Sequence, residues 1–172
     1  MKRRNEFVVL LRKLFFFCLP MTSMRTNYIY RHKRLFHKLG GGILFQPRKF
    51  PDEPELISIG NNVMISSDVI FITHDTFHYL FHNMGYEVNA LRGCIEIGNN
   101  VAIGSIVIIL PNVKIGSNVI IGAVAVIAKD IPDNSVVVGA SKIIGNFDAL
   151  LEKRKQVKVY KSIDEIWKEF SK

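Results

Sequence analysis

Residues 95–129 read IEIGNNVAIGSIVIILPNVKIGSNVIIGAVAVIAK, and an aliphatic residue returns there at every sixth position: Ile97, Ile103, Ile109, Ile115, Ile121 and Ile127. Glycine follows most of them, at Gly98, Gly104, Gly116 and Gly122. Four places after most of them stands a second small or branched side chain: Val101, Val107, Val113, Val119 and Ala125. An earlier block keeps the same phase, with Ile59-Gly60, Ile65-Ser66 and Phe71-Ile72. A period of six does not hold one face of a 3.6-residue helix, and recurrent glycine would weaken a helix further. Ile and Val suit strands, whereas Gly98-Asn99-Asn100 and Gly116-Ser117-Asn118 suit tight corners. Short strands joined by evenly spaced corners describe a triangular solenoid, three hexapeptides to a coil, with the aliphatic position turned inward.

Outward from this block, the chain divides into three expected regions. Residues 1–40 form a basic, apolar helical segment, 41–145 the β-helix with an inserted loop at 76–93, and 146–172 a helical tail. Gly40-Gly41-Gly42 before Ile43-Leu44-Phe45 marks a first, irregular coil. Phe147 to Val157 is expected to be helical, and Ser162-Ile163-Asp164-Glu165 reads as a capping box opening a last short helix. These tails cap the prism or clasp a neighbour, because a solenoid leaves ends to cover.

The chain has 172 residues, 48% of them hydrophobic, which suits one domain with a buried core. Its formal net charge of +8 favours anionic partners. No zinc-finger spacing, RNA-binding signature or recognition helix accompanies that charge, so nucleic acid is not an expected partner. Cys18 and Cys94 form no motif. Without an export signal, a reducing cytoplasm is the expected location. The run Phe7 to Leu19, FVVLLRKLFFFCL, is broken by Arg12 and Lys13 and is too short to span a bilayer. It reads as an amphipathic helix lying on the protein, or on a membrane surface through residues 1–20.

The repeat breaks once, after Thr73-His74-Asp75, and resumes at Cys94-Ile95. The insertion is rich in aromatics and histidines, including Phe77, His78, Tyr79, Phe81, His82 and Tyr86. Long loops in an economical scaffold are usually functional. His74 has three readings at this stage. It is a structural residue at the loop edge, a metal ligand with His78 and His82, or a general base, since a neutral imidazole takes a proton from a hydroxyl.

Ile97-Gly98-Asn99-Asn100-Val101 through Ile127-Ala128-Lys129-Asp130-Ile131-Pro132, with Thr73-His74-Asp75 ahead of it, resembles the left-handed β-helix acyltransferases. Within them it is most similar to the sugar and polysaccharide O-acetyltransferases. The resemblance covers roughly residues 41–145 and implies a mainly β fold, a left-handed parallel β-helix with helical ends. It also implies a homotrimer with sites between neighbouring prisms, acetyl-CoA as acyl-donor co-substrate, a saccharide acceptor and no metal. The family's catalytic histidine maps onto His74. Cofactor contacts fall on Gly104, Ser105, Ala123, Lys129 and Lys142, with the Gly104-Ser105 corner facing the oxyanion and Lys142 meeting the nucleotide phosphates. The alternatives are N-acylation of an amino sugar, a metal lyase on the same solenoid, and a non-catalytic trimer.

Departures gather at the CoA end. Val124 stands where glycine is usual and is strained if that corner needs positive φ. Ala128 replaces a threonine, Ala102 a tryptophan and Ile106 a polar residue. Gly139-Ala140-Ser141-Lys142 is one residue shorter than the usual turn and lacks its proline.

Overall fold

The computed structural model describes residues 6–155. The hexapeptides become very short strands: β1 (Lys38–Leu39), β2 (Leu44–Phe45), β3 (Ile57–Ile59), β4 (Val63–Ile65), β5 (Ile70–Phe71), β6 (Ile95–Ile97), β7 (Val101–Ile103), β8 (Ile108–Ile109), β9 (Val113–Ile115), β10 (Val119–Ile121), β11 (Val126–Ile127), β12 (Ser135–Val138) and β13 (Lys142–Asn146). Helices α1 (Glu6–Phe17) and α2 (Thr22–Arg31) precede them, α3 (Phe77–Asn83) lies in the insertion, and α4 (Phe147–Lys155) follows. The strands line up in three sheets, β1-β3-β6-β9, β2-β4-β7-β10-β12-β13 and β5-β8-β11, here called the first, second and third faces. Pairing is parallel throughout except for β13, which turns back antiparallel on β12 and closes the last coil.

Register follows from the period. Ile59 pairs with Ile97 and Ile97 with Ile115, while Ile65, Ile103 and Ile121 form the second column and Phe71, Ile109 and Ile127 the third. All nine side chains are buried. The fourth-place residues Val63, Val69, Val101, Val107, Val119 and Ala125 are buried with them and fill the prism corners. Backbone rungs tie coil to coil, such as Gly60 N–H to Ile97 O and Gly98 N–H to Ile115 O, both 2.8 Å. Gly98 is required by closeness. A Cβ there would lie 2.7 Å from the backbone of Gly116 in the next coil.

Two columns of corners need left-handed backbone. Between the first and second faces, Asn62, Asn100, Asn118 and Asn134 take φ of +54° to +58°. Asparagine tolerates that region, and these residues stack in a side-chain ladder, with Asn62 Nδ2 donating to Asn100 Oδ1 and Asn100 Nδ2 to Asn118 Oδ1 at 2.9 Å. Between the second and third faces the same geometry falls on Asp68, Ile106 and Val124, at φ of +60° to +61°. The strain expected at Val124 is therefore present, and Ile106 shares it. β-Branched residues in this region cost about 1–3 kcal/mol each. Both are more than half exposed.

The outward residues separate the faces. The first face presents Lys38, Ser58, Glu96 and Lys114, in register with one another. The second presents Leu44, Met64, Ala102, Ile120 and Val136, and the third Ile70, Ile108 and Val126. Two faces of the prism are thus apolar on their outer side, and one is polar.

At the amino end, Phe16, Ile29, Phe36, Phe45 and Phe50 are buried and plug the first coil, with Phe16 and Phe50 edge to face at 5.1 Å. Buried Arg25 fastens the α1–α2 turn by donating from Nη1 to Leu19 O at 2.6 Å. At the other end Asn146 caps α4, its Oδ1 accepting from Asp148 N–H at 2.9 Å. Asn134 Nδ2 also donates to Asp148 Oδ2 at 2.9 Å. The helix expected over Phe147–Val157 is seen as α4 as far as Lys155, and its last two residues lie outside the described residues. The capping box at Ser162 and the helix after it lie outside the described residues.

Candidate functional site

His74 follows β5 by three residues, at the edge between the third and first faces where the insertion leaves the prism. The insertion returns to its point of departure. His74 and Arg92 form an antiparallel bridge, Gly93 N–H donates to Thr73 O at 2.8 Å, and Asp75 N–H to Leu91 O at 3.2 Å. Gly93 fits there because a Cβ would strike the Asn112 side chain at 2.4 Å. The imidazole is therefore held by the closed neck of the loop.

Directly across the neck, one coil earlier, lies Glu53. Its Oε2 accepts from His74 Nδ1 at 2.9 Å and from the Thr73 hydroxyl at 2.8 Å, while Oε1 sits 3.6 Å from Arg92 Nε. The Glu53 side chain is 15% exposed and that of His74 38%. A carboxylate can only accept, so the proton on the imidazole resides at Nδ1 and the lone pair at Nε2. This is the tautomer a general base needs, fixed by a half-buried partner.

Glu53 escaped the sequence reading because it lies in the irregular 46–56 connection, 21 residues before His74. The signal that could have found it is an acidic residue about one coil ahead of a histidine at the break. Its neighbour Asp52 pairs with Lys13 of α1 and with Lys49 at 3.9 Å. Burial pushes the Asp52 carboxyl up, but the Lys13 hydrogen bond and charge, with Lys49 and His74 behind them, hold it below the ordinary carboxylate value.

The other histidines do not join this group. His82 Nε2 lies 2.8 Å from Val88 O, and His78 packs edge to face on His82 with ring centroids 5.8 Å apart. Among the described residues no three His, Cys, Asp or Glu side chains converge on a common point. The insertion leaves Phe77, Tyr79, Phe81 and Tyr86 exposed.

Of the residues matched to CoA, Gly104, Ser105 and Ala123 lie on the next edge, between the second and third faces. Gly104 and Ala123 stack in adjacent coils, and a Cβ on Gly104 would come within 2.5 Å of Ala123 N. Gly104 N–H is spent on Ile121 O, and Val124 N–H on Ser105 O. The N–H groups of Ser105 and Ala123 have no partner among the described residues. Lys129 and Lys142 come to one end of the prism, because Ala128 N–H donates to Ser141 Oγ at 3.0 Å. Ser141 is buried at φ +56° and also donates to Val126 O at 3.2 Å, so the shortened turn is a clamp on the last coil. Within one chain, His74 and Ser105 stand at opposite ends of the third-face strands. Six or seven extended residues at about 3.3 Å each separate such edges by roughly 20–23 Å.

Residues 94–129 match the family described as bacterial transferase hexapeptide (six repeats). Protein CapG of Staphylococcus aureus is 54% identical over 90 residues, 52% of this chain and 52% of that protein. The putative acetyltransferase YvoF of Bacillus subtilis is 34% identical over 122 residues, 70% of this chain and 64% of the relative. The chain thus spans between half and two thirds of these curated relatives. The crystal structure of a maltose O-acetyltransferase from Clostridium difficile superposes with a TM-score of 0.61 at 25% identity, covering 81% of this chain and 84% of that one. With that likeness the expected left-handed parallel β-helix stands, and residues 94–129 of it carry the repeats of the bacterial transferase hexapeptide family.

Proposed function

We propose that this chain is an acetyl-CoA-dependent O-acetyltransferase acting on a hydroxyl of a saccharide, with His74 as general base. The observation that carries the reading is the His74–Glu53 pair, which leaves Nε2 unprotonated at the mouth of an aromatic loop. The acceptor hydroxyl gives its proton to Nε2 as its oxygen bonds to the thioester carbonyl carbon. The tetrahedral oxyanion is met by backbone N–H groups, for which those of Ser105 and Ala123 are the candidates. Collapse breaks the C–S bond, and the thiolate takes the proton from the imidazolium, so no enzyme-bound intermediate is needed. Lys129 and Lys142 supply positive charge for the donor's phosphates. The exposed aromatic rings of the insertion offer flat apolar surface to a sugar ring. Similarity to a maltose O-acetyltransferase and to a putative acetyltransferase supports the same direction.

Assembly is part of this proposal. His74 and the Ser105 corner stand on different edges, too far apart to share one carbonyl carbon within a chain. Apposing copies would bring one chain's base to another's corner, and the two uncharged outer faces suit such contacts. A homotrimer in the cytoplasm is the proposed working form.

The test is transfer of label from acetyl-CoA to saccharide acceptors, followed by mild alkali. Release of the label marks an ester and supports the reading. Label that survives marks an amide and moves the acceptor to an amino sugar. No transfer, together with no heat of CoA binding, overturns the enzymatic reading in favour of an assembly protein.

Glu53→Gln is expected to lower kcat about 10–100-fold, the usual cost of removing a partner that orients a functional histidine. The amide can offer an N–H to Nδ1 and so favours the wrong tautomer. Glu53→Asp should recover part of the rate. A loss of thermal stability with full turnover in the folded fraction would make Glu53 a packing residue only.

A further inference from the structure

Helix α1 is built inside out. Around its circumference the side turned to the body carries Phe16 and Val9, flanked by Arg12 and Lys13, and Lys13 is anchored on Asp52. Apart from Glu6, the remaining positions are apolar: Phe7, Val8, Leu10, Leu11, Leu14, Phe15 and Phe17, five of the seven more than half exposed. Phe7, Leu10, Leu14 and Phe17 fall at i, i+3, i+7 and i+10, one outward stripe. Met21 and Met24 extend it across the turn into α2. Between the helices lies a cleft of about 640 Å³ whose lining includes Leu11, Phe15 and Met24 together with Arg12, Arg31 and His32.

Charge is distributed as unevenly as apolar surface. Residues 1–51 hold twelve Lys and Arg against one acid, Glu6, while residues 52–172 hold eleven against fourteen. The whole positive excess of the chain therefore falls within its first 51 residues. Arg31, Lys33 and Arg34 are exposed at the end of α2.

We propose that α1 and α2 dock this protein on the surface of an anionic phospholipid bilayer, with the stripe Phe7, Leu10, Leu14 and Phe17 inserted among the acyl chains and Arg31, Lys33 and Arg34 on the headgroup phosphates. A second copy of the chain is the poorer occupant, because apposed copies would set like charges together, whereas the uncharged outer faces of the second and third sheets meet without that cost. The helix lies in the surface rather than crossing it. Twelve residues extend about 18 Å, against a hydrocarbon core of about 30 Å, and no described helix is long and apolar enough to span.

The experiment is sedimentation of the full chain with vesicles of phosphatidylcholine, with and without phosphatidylglycerol. The assay needs neither donor nor acceptor, so its result is independent of acetyl transfer. Binding is expected only with phosphatidylglycerol present, and it should fall at about 1 M salt, where the screening length shrinks to about 3 Å. Leu14→Glu, at an exposed position that the fold does not use, should weaken partitioning about tenfold or more. Arg31→Gln and Arg34→Gln should each weaken it about fivefold. The proposal is overturned if the protein ignores anionic vesicles, or if Leu14→Glu binds them as the parent does. It is equally overturned if Leu14→Glu lowers the assembled mass in light scattering, since the stripe would then be a contact between copies.

Discussion

His74→Ala is expected to lower kcat about 10²–10⁴-fold while leaving binding of the acyl donor unchanged. The size follows from what a positioned base contributes, and the selectivity follows from the geometry. The imidazole stands on the edge between the third and first faces, whereas Ser105, Ala123, Lys129 and Lys142 sit along the adjacent edge and the far end of the prism. Removing the ring takes nothing from those contacts. It also leaves no stranded charge, because Glu53 keeps the Thr73 hydroxyl at 2.8 Å and Arg92 at 3.6 Å. The variant should therefore fold, assemble and bind CoA in calorimetry like the parent, with the deficit confined to turnover. Equal rates for parent and variant would remove His74 from the chemistry. A variant that cannot bind CoA would show that the ring belongs to the donor site instead.

Ile103→Ala should cost about 2–5 kcal/mol of folding stability, with the upper part of that range expected. Ile103 is fully buried in the column between Ile65 and Ile121. Its coil is fastened on both sides, with Ser66 N–H donating to Ile103 O at 3.0 Å and Gly104 N–H to Ile121 O at 2.8 Å. Coils spaced by backbone rungs cannot move in to fill a void, so the lost methyl groups leave a cavity rather than a collapse. Lys114→Ala, on the outer side of the first face, should stay within about 0.5 kcal/mol of the parent. Urea titration of both variants decides the matter, and a deficit under about 1 kcal/mol for Ile103→Ala would mean that the prism does relax.

The columns of the prism were legible because a period of six places every inward residue without knowledge of its neighbours. His74 was legible for a related reason, since a regular pattern advertises its own interruption. Glu53 was not. It meets His74 only because a connection of irregular length spans the third face of the first coil, and nothing local records where that connection stacks. Helix α1 was half legible. Its sequence announced a helix with apolar and basic residues, but the usual assumption turns the cations outward. Asp52 draws Lys13 toward the body and leaves the hydrocarbon outside. The positive φ at Val124 could be stated only as a condition, because whether a corner winds left-handed depends on the coil that it closes.

The clasp at the neck of the insertion has a consequence for descent and for engineering. Since Gly93 N–H meets Thr73 O and the ladder resumes at once with Ile95, the rungs below carry no memory of how many residues wandered off between them. Eighteen residues or eight can hang from the same pair of posts. The insertion can thus be exchanged as a cassette while the scaffold and His74 stay as they are.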